Sequence, residues 1–243
     1  MAESIRTAVL LVAGMGSRLR PLTNEIPKAL VPINGQSILE RAIAALRAHG
    51  VELFVLATGY KDEAVRSAVS GMGINATFCH NSRYDETQNS ISLLQCRSAV
   101  GKGGFYKLDG DLLFDSRVIE RLGAGTQPLN VAVDASRAVD AEAMKVTCDS
   151  NGCILRFGKS IAVSEAFGES IGIERIEAST ADLLFDAIAS LDRQGVVDRY
   201  YEDVYSELLK EGKIAASAIS VGDLPWAEVD NLADLEHANR LFT

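Results

Sequence analysis

The sequence predicts an α/β fold, in which a largely parallel β-sheet carries helices on both faces. Short apolar runs, of the kind that form buried strands, alternate with amphipathic stretches through the first half of the chain. Parallel neighbours need a long crossover, usually a helix, so this alternation indicates a sheet that is covered on both sides. Gly14 and Gly16 follow the first apolar run, where open α/β sheets bind their ligands.

Five strands and four helices are predicted in the first half of the chain. The helix over 37–49 has its apolar residues at helical spacing, namely Ile38, Leu39, Ala42, Ile43 and Leu46. The other helices are expected over 62–69, 88–99 and 116–122. The strands are expected over 7–13, 51–58, 74–79, 104–109 and 129–134.

The second half of the chain predicts a smaller β elaboration, followed by two helices, a strand and a closing helix. Ser150-Asn151-Gly152 is a strong hairpin turn, so strands are expected over 144–149 and 153–159. A strand over 168–176 precedes a helix over 180–193, for which Ser179 is the predicted N-cap. A helix over 202–211, a strand over 214–219 and a helix over 232–241 follow. Since no linker or repeat interrupts the chain, we predict one domain over 1–243.

Composition limits the possible partners. The hydrophobic share of 47% is ordinary for a globular protein, while the net charge of −9 argues against a nucleic-acid binder. A nucleotide is still possible, because a few basic side chains can hold phosphates within an acidic surface. The apolar run 8–13 is too short for a membrane span or a signal peptide, so we expect a cytoplasmic protein without a membrane. The cysteines are expected to be reduced. Cys148 and Cys153 lie on neighbouring strands of the predicted hairpin, so the sequence does not decide whether they form a disulfide.

The segment after the first strand has the residues of a phosphate site. Gly14 and Gly16 let backbone amides approach phosphate oxygens, Arg18 offers a planar guanidinium, and Lys28 offers a mobile ammonium. It is not a dinucleotide fingerprint, because position 19 is leucine and no acidic residue ends the second strand. It is not a P-loop either, because Gly-Lys-Ser/Thr is absent at the required spacing. A nicotinamide-dependent oxidoreductase is thereby disfavoured.

This segment resembles the signature of the sugar-nucleotide pyrophosphorylase-like nucleotidyltransferases. Residues 13–23 match A-G-x-G-x-R-L-x-P-x-T, and residues 27–32 match P-K-x-L-x-P. The resemblance implies a Rossmann-like fold of the nucleotide-diphospho-sugar transferase type, with 1–135 as the nucleotide-binding core and 136–243 as the acceptor-binding region. It also implies that the nucleotide contacts Ala13, Gly14, Gly16, Ser17 and Arg18, and that Arg18 and Lys28 are catalytic.

Two later segments resemble the metal-binding parts of the same family. Leu108-Asp109-Gly110-Asp111 follows a buried strand, and 226–231 resembles the second metal-binding segment. The resemblance implies that Asp111 and Asp230 hold Mg²⁺, which prefers carboxylate and phosphate oxygens. Asp109 is assigned to the nucleotide.

Residues 81–93 narrow the resemblance to the cytidylyltransferase branch, because they match N-x-x-Y-x-x-T-x-N-x-x-S-L. The resemblance implies that CTP is the donor and that Asn89 and Ser92 lie near its base and ribose. Helix capping by Thr87 is an alternative or additional explanation of this segment. The branch also implies that Lys145 and Lys159 are catalytic. The candidate acceptor contacts are Lys145, Glu169, Tyr200, Trp226 and Glu228.

The predicted function is Mg²⁺-dependent transfer of CMP from CTP to a small phosphorylated or phosphonylated acceptor, with release of pyrophosphate. A sugar-1-phosphate uridylyl- or guanylyltransferase and a non-catalytic nucleotide-binding module are the alternatives. The acceptor stays open among inositol 1-phosphate, aminoalkyl phosphonates, phosphocholine and phosphorylated polyols. Phosphocholine is disfavoured, because 134–144 has no aromatic residue for a cage. The oligomeric state, including a homo-oligomer, is also open.

Overall fold

A nine-stranded mixed sheet forms the centre of the molecule in the computed structural model, which describes residues 5–243. Along one path the strands follow the order β10-β9-β11-β6-β1-β4-β5, while β8 pairs with β11 and β12 pairs with β8. The strands are β1 Thr7–Leu11, β2 Pro32–Ile33, β3 Gln36–Ser37, β4 Leu53–Thr58, β5 Asn75–His80, β6 Phe105–Asp109, β7 Leu112–Phe114, β8 Leu129–Asp134, β9 Lys145–Cys148, β10 Ile154–Gly158, β11 Gly168–Ile176, β12 Ala216–Ser220 and β13 Trp226–Glu228. The helices are α1 Ile38–Ala48, α2 Asp62–Ser70, α3 Asn89–Gln95, α4 Arg97–Val100, α5 Arg117–Gly123, α6 Ala178–Arg193, α7 Tyr201–Lys210 and α8 Leu232–Leu241.

The direction of the strands confirms the predicted parallel core with a mixed elaboration. Strands β6, β1, β4 and β5 run parallel, whereas β11 runs antiparallel to β6, β8 and β9. The hairpin of β9 and β10 lies at the end of the sheet beyond β11.

Several local predictions differ from the structure. The helix expected over 88–99 is divided into α3 and α4 at Cys96. Helix α6 begins at Ala178 and Glu177 occupies its N-cap position, so the prediction of Ser179 as the cap is wrong. The N-cap of α3 is Gln88 rather than Thr87. Strands β7 and β13 were not predicted, because three residues are too few to show an alternating pattern.

Two hydrophobic layers cover the faces of the sheet. Successive residues of a strand point to opposite faces, and in β1 Leu10 packs with one layer while Val9 packs with the other. The layer around Leu10 is completed by α1, α2 and α5, and the layer around Val9 by α3, α6 and α7. A third cluster joins α8 to β13, β7 and the segment 19–38, so it fixes the chain that follows the glycine loop.

All four cysteines, Cys79, Cys96, Cys148 and Cys153, are free thiols. Among the helices of residues 5–243, none is both long and apolar enough to cross a lipid bilayer.

Ser37 closes a capping box at the start of α1, and its removal should destabilise the fold. Its hydroxyl accepts from Glu40 N at 3.2 Å, and Glu40 Oε2 accepts from Ser37 N at 2.6 Å. We expect Ser37→Ala to lower the free energy of unfolding by about 1 kcal/mol in urea titrations. Ser116→Ala is the matched control, because Ser116 precedes α5 without a capping hydrogen bond and should cost under about 0.5 kcal/mol. Equal losses in the two variants would contradict the assignment.

Candidate active site

A cavity of about 770 Å³ opens at the carboxyl ends of β1 and β6. Its wall is formed by the glycine loop, the β6–β7 turn, the start of α3, the segment 140–144, the first half of β11, the start of α7 and the end of β13. Every site residue predicted from the sequence lies on this wall except Lys145. The structure therefore brings together segments from both halves of the chain.

The glycine loop has a conformation that requires glycine at one position. Gly16 has a φ of 59°, and a Cβ there would lie 2.9 Å from Lys28 Cβ. Thr23 Oγ donates to the carbonyl of Gly16 at 2.7 Å. The loop is therefore held against Lys28, with Ala13, Gly14, Ser17 and Arg18 on the cavity wall.

Pairing between β7 and β13 brings the two predicted metal ligands together. Asp111 lies in the turn before β7, and Asp230 follows β13; Leu112 is in register with Glu228. Val229 N also donates to the Asp111 carbonyl at 3.0 Å. Two segments that are far apart in sequence are therefore fixed side by side.

Lys28 joins the two aspartates. Its ammonium lies 2.6 Å from Asp111 Oδ2 and 2.5 Å from Asp230 Oδ1, and Arg18 donates to Asp230 Oδ2 at 2.5 Å. Burial alone would lower the pKa of Lys28, but the two carboxylates outweigh it and hold that pKa above its usual value. Burial would likewise raise the pKa of Asp230, yet Lys28 and Arg18 keep it low. The site is therefore built to place positive charge between these carboxylates.

Asp111, Glu228 and Asp230 form a cluster that could hold a metal ion, since their ligand oxygens lie within 4.8 Å of one another. Carboxylate oxygens suit a hard divalent cation, and the position of the Lys28 ammonium shows that a cation fits between two of them. Burial, together with the charges of Asp111 and Asp230, raises the pKa of Glu228 to about 8. Glu228 was expected to contact the acceptor, whereas the structure places it within this acidic cluster.

Asp109 rests on a buried polar network. Tyr201 Oη donates to Asp109 Oδ2 at 2.8 Å, and Lys107 Nζ lies 3.2 Å from Asp109 Oδ1 and 2.9 Å from Glu174 Oε2. Lys107 also donates to Tyr201 Oη. Burial raises the pKa of Asp109, partly offset by Lys107, and raises that of Glu174 to about 8. Gly172 has a φ of 77°, and a Cβ there would collide with the Asp109 carboxylate.

Asn89 and Ser92 lie on the first turns of α3 and face the cavity. Asn89 Oδ1 accepts from Tyr201 N at 3.1 Å, so its amide nitrogen is the group left for a ligand. Ser92 Oγ accepts from Asn81 Nδ2 at 3.0 Å and keeps its own proton for donation. Both residues thus present donors to the cavity.

Lys145 does not occupy the position that the sequence predicts. Its side chain is 1% exposed, and its ammonium donates to the carbonyls of Asp140, Ala141 and Ala143 at 3.1, 2.9 and 3.1 Å. The Lys145 ammonium therefore holds the segment 140–143 in place beneath the cavity wall. A lysine on a strand can point to either face, so sequence position could not distinguish these orientations.

The remaining predicted residues line other parts of the cavity wall. Lys159 lies over the Tyr200 ring, with its ammonium 5.1 Å from the ring centroid. Trp226 Nε1 donates to Asp134 Oδ2 at 2.8 Å. Burial, with repulsion from Asp140 and Asp134, raises the pKa of Glu169 to about 7.

Some residues of the cavity wall were absent from the predicted site. Among them Ser170 and Glu202 are 6% and 5% exposed, and burial raises the pKa of Glu202 to about 7. In the sequence Glu202 is one of several acidic residues, and no motif distinguishes it from the others. Its burial depends on how α7 packs on the sheet, which no local pattern reveals.

Comparison with known proteins agrees with this geometry. Residues 8–154 match the MobA-like NTP transferase domain family. The chain is 31% identical to the CMP-5'-(3-aminopropyl)phosphonate synthase of Streptomyces rubellomurinus over 97% of this chain, which spans 38% of that protein. It is 27% identical to the CTP:phosphoglutamine cytidylyltransferase of Campylobacter jejuni, over 94% of this chain and 97% of that protein.

The structure of the inositol-1-phosphate CTP transferase from T. maritima has the same fold. The TM-score is 0.84 at 22% identity, and the match covers 99% of this chain and 96% of the other. The expected resemblance to nucleotidyltransferases, including their cytidylyltransferase branch, is confirmed. The chain belongs to the MobA-like NTP transferase domain family of nucleotidyltransferases.

Proposed function

We propose that the protein transfers CMP from CTP to a small phosphorylated or phosphonylated acceptor and releases pyrophosphate. The observation that carries this proposal is the position of the acidic cluster. Asp111, Glu228 and Asp230 share one cavity with the glycine loop, Arg18 and Lys28. A site that only bound a nucleotide would not need three carboxylates beside its phosphate loop, so the geometry favours catalysis over the binding-module alternative.

The reaction we propose is direct displacement at the α-phosphorus of CTP. An acceptor oxygen forms the new P–O bond while the bond to the β-phosphate oxygen breaks, and pyrophosphate leaves with its electron pair. The acceptor oxygen is already anionic, so no covalent enzyme intermediate is required. Catalysis then depends on positioning the two anions and offsetting their charge.

Each part of the cavity has a role in this proposal. The amides of the glycine loop and the guanidinium of Arg18 hold the leaving pyrophosphate, and Lys28 offsets charge on the α-phosphate. Asp111, Glu228 and Asp230 would hold Mg²⁺, which supplies charge neutralisation and orientation of phosphate oxygens when bound. Lys159 and Glu169 lie on the acceptor side, while Lys145 acts at a distance by ordering 140–143.

CTP is favoured over UTP by the free groups of α3. The amide nitrogen of Asn89 and the hydroxyl of Ser92 are donors, which suit the O2 and N3 acceptors of cytosine. In uracil N3 is itself a donor. The names of the similar proteins from S. rubellomurinus and C. jejuni also specify CMP and CTP.

We further propose that one domain performs both tasks, with 1–135 as the nucleotide-binding core and 136–243 supplying acceptor contacts and the second aspartate. Strand β11 supports a single unit, because it pairs with β6 and β8 of the first part and with β9 of the second.

Pyrophosphate release with Mg²⁺, a panel of phosphorylated and phosphonylated acceptors, and CTP, UTP or GTP tests the proposed donor. We expect CTP to be preferred by at least about tenfold in kcat/KM, since one mismatched base contact costs about 1.4 kcal/mol or more. Preference for UTP or GTP with a sugar 1-phosphate would instead support the alternative transferase.

Replacing Asp111 by asparagine tests the acidic cluster. We expect Asp111→Asn to reduce kcat for pyrophosphate release by about 1,000-fold or more, because a carboxylate beside the reacting phosphates is lost. Asp115→Asn is the matched control, since the Asp115 side chain is equally exposed, 22%, but pairs with Arg117 away from the cavity. Full activity of Asp111→Asn would overturn the proposed role.

Lys28 should compete with a metal ion for the same carboxylates. Without nucleotide, Lys28→Gln should lower the melting temperature, because Asp111 and Asp230 lose their partner, and Mg²⁺ should then raise it more than in the wild type. Thermal unfolding with and without Mg²⁺ measures both effects. Lys102→Gln, at an exposed loop position, is the control. An Mg²⁺ response that Lys28→Gln leaves unchanged would show that the ion binds elsewhere.

A further inference from the structure

The cavity has many more carboxylates than two anionic substrates require. Three basic side chains, Arg18, Lys28 and Lys159, face nine acidic ones, namely Asp109, Asp111, Asp140, Glu142, Glu169, Glu202, Glu228, Asp230 and Asp234. Six of the acidic side chains already have an explanation. Three of them form the acidic cluster, Asp140 and Asp234 accept hydrogen bonds from backbone amides, and Asp109 belongs to the network with Tyr201. The remainder includes Glu202, which is buried.

Glu202 is a buried carboxylate with a free oxygen. It is 5% exposed, and its Oε2 accepts no hydrogen bond from any residue of 5–243. The ammonium of Lys107 is nearby but is already shared by Asp109, at 3.2 Å, and Glu174, at 2.9 Å. One ammonium serves three carboxylates, and burial raises the pKa of all three, so the ionised form of Glu202 is poorly stabilised here. A second cationic donor beside Glu202 would favour its ionised form.

Ser170 provides a second, uncharged observation. It is 6% exposed, lines the cavity, and its Oγ has no hydrogen-bond partner within the described chain. Ser170 is in register with Val133, and Glu174 with Val131, and both valines belong to the hydrophobic layer under α7. Cross-strand partners share a face of the sheet, so Ser170 faces the helix that carries Glu202. Both residues line the same cavity, Ser170 from the sheet and Glu202 from α7.

The chemistry of these groups selects the ligand. An ionised carboxylate can only accept, so its partner must bring N–H or O–H donors, and a positive charge on that partner would favour the ionised form of Glu202. A primary ammonium supplies three donors and one positive charge. A quaternary ammonium supplies no donor, and two aromatic rings of the cavity wall already have a cation beside them, Lys159 over Tyr200 and Arg137 5.1 Å from the Trp226 ring centroid.

We propose that Glu202 and Ser170 bind the primary ammonium group of the acceptor, which is therefore an aminoalkyl phosphate or aminoalkyl phosphonate. The inference rests on the proposed cytidylyl transfer and specifies its second substrate. The name of the similar synthase from S. rubellomurinus, which specifies an aminopropylphosphonate, is consistent with this chemistry.

Matched acceptors that differ only in the ammonium group test the proposal by calorimetry, in the presence of CTP and with Ca²⁺ replacing Mg²⁺ to slow turnover. The pairs are 2-aminoethylphosphonate with propylphosphonate, and 3-aminopropylphosphonate with butylphosphonate, in which a methyl group replaces the ammonium. We expect at least one aminoalkyl phosphonate to bind about tenfold or more tightly than its partner. Inositol 1-phosphate and phosphocholine represent hydroxyl and quaternary ammonium ligands.

Variants test whether Glu202 and Ser170 cause the tighter binding of acceptors that carry an ammonium group. Glu202→Gln keeps the shape of the side chain and should reduce the ratio of affinities within each acceptor pair to about one. Ser170→Ala should reduce that ratio several-fold. Glu207→Gln is the control, because Glu207 is on the same helix with its side chain 53% exposed. It should keep the full preference. Melting temperatures of all three variants verify folding, and the wild-type comparison does not depend on them.

The outcomes separate this inference from the proposed function. Equal binding within both pairs, tighter binding of inositol 1-phosphate or phosphocholine, or a preference that Glu202→Gln retains would overturn the ammonium site. CTP-dependent pyrophosphate release with a non-amino acceptor alone would overturn it while leaving cytidylyl transfer intact. An ammonium preference abolished by Glu202→Gln, in a protein that releases no pyrophosphate, would support the site and overturn the transferase proposal.

Discussion

The pairing of β7 with β13 is the constraint on which the candidate active site depends. These two short strands hold Asp111 against Asp230 and place Glu228 beside both. Without this pairing, the carboxylates would belong to separate loops, one near the middle of the sequence and one near its C-terminal end. The third hydrophobic cluster packs beneath it through Leu113, Ala227 and α8, so apolar burial opposes the repulsion of the carboxylates. The same cluster contains Leu19, which follows the glycine loop, and Val31, which follows Lys28.

Strand β11 has a comparable role on the other side of the cavity. It is buried along nearly its whole length and pairs with β6, β8 and β9. The shift in its pairing between Ser170 and Glu174 coincides with Gly172, where the backbone allows Asp109 to approach. Lys107 and Tyr201 then hold Asp109 from below, and Glu174 pairs with Lys107. The two sides of the cavity therefore share one support.

Much of the fold and the glycine loop could be predicted, because the sequence patterns that indicate them are local. Buried strands are apolar runs, α1 has a clear helical period, and the glycine loop with Arg18 and Lys28 is a continuous motif. What could not be predicted depends on tertiary packing. The orientation of Lys145 toward three carbonyls follows from the path of 140–143. The free oxygen of Glu202 follows from the position of α7, and the place of Glu228 in the acidic cluster follows from the three-residue pairing of β7 and β13.

Lys28 and Arg18 give the site its own counterions. The carboxylates they contact need no solute ion to remain close together, so the arrangement that a nucleotide meets exists before it arrives. In the proposed reaction, binding would be an exchange, in which these two side chains would move from the protein carboxylates to substrate phosphates and the carboxylates would take up another cation. Such an exchange moves charge without unfolding or ordering a loop. It therefore limits the entropic cost of binding, and it makes occupancy of the cavity sensitive to ionic strength.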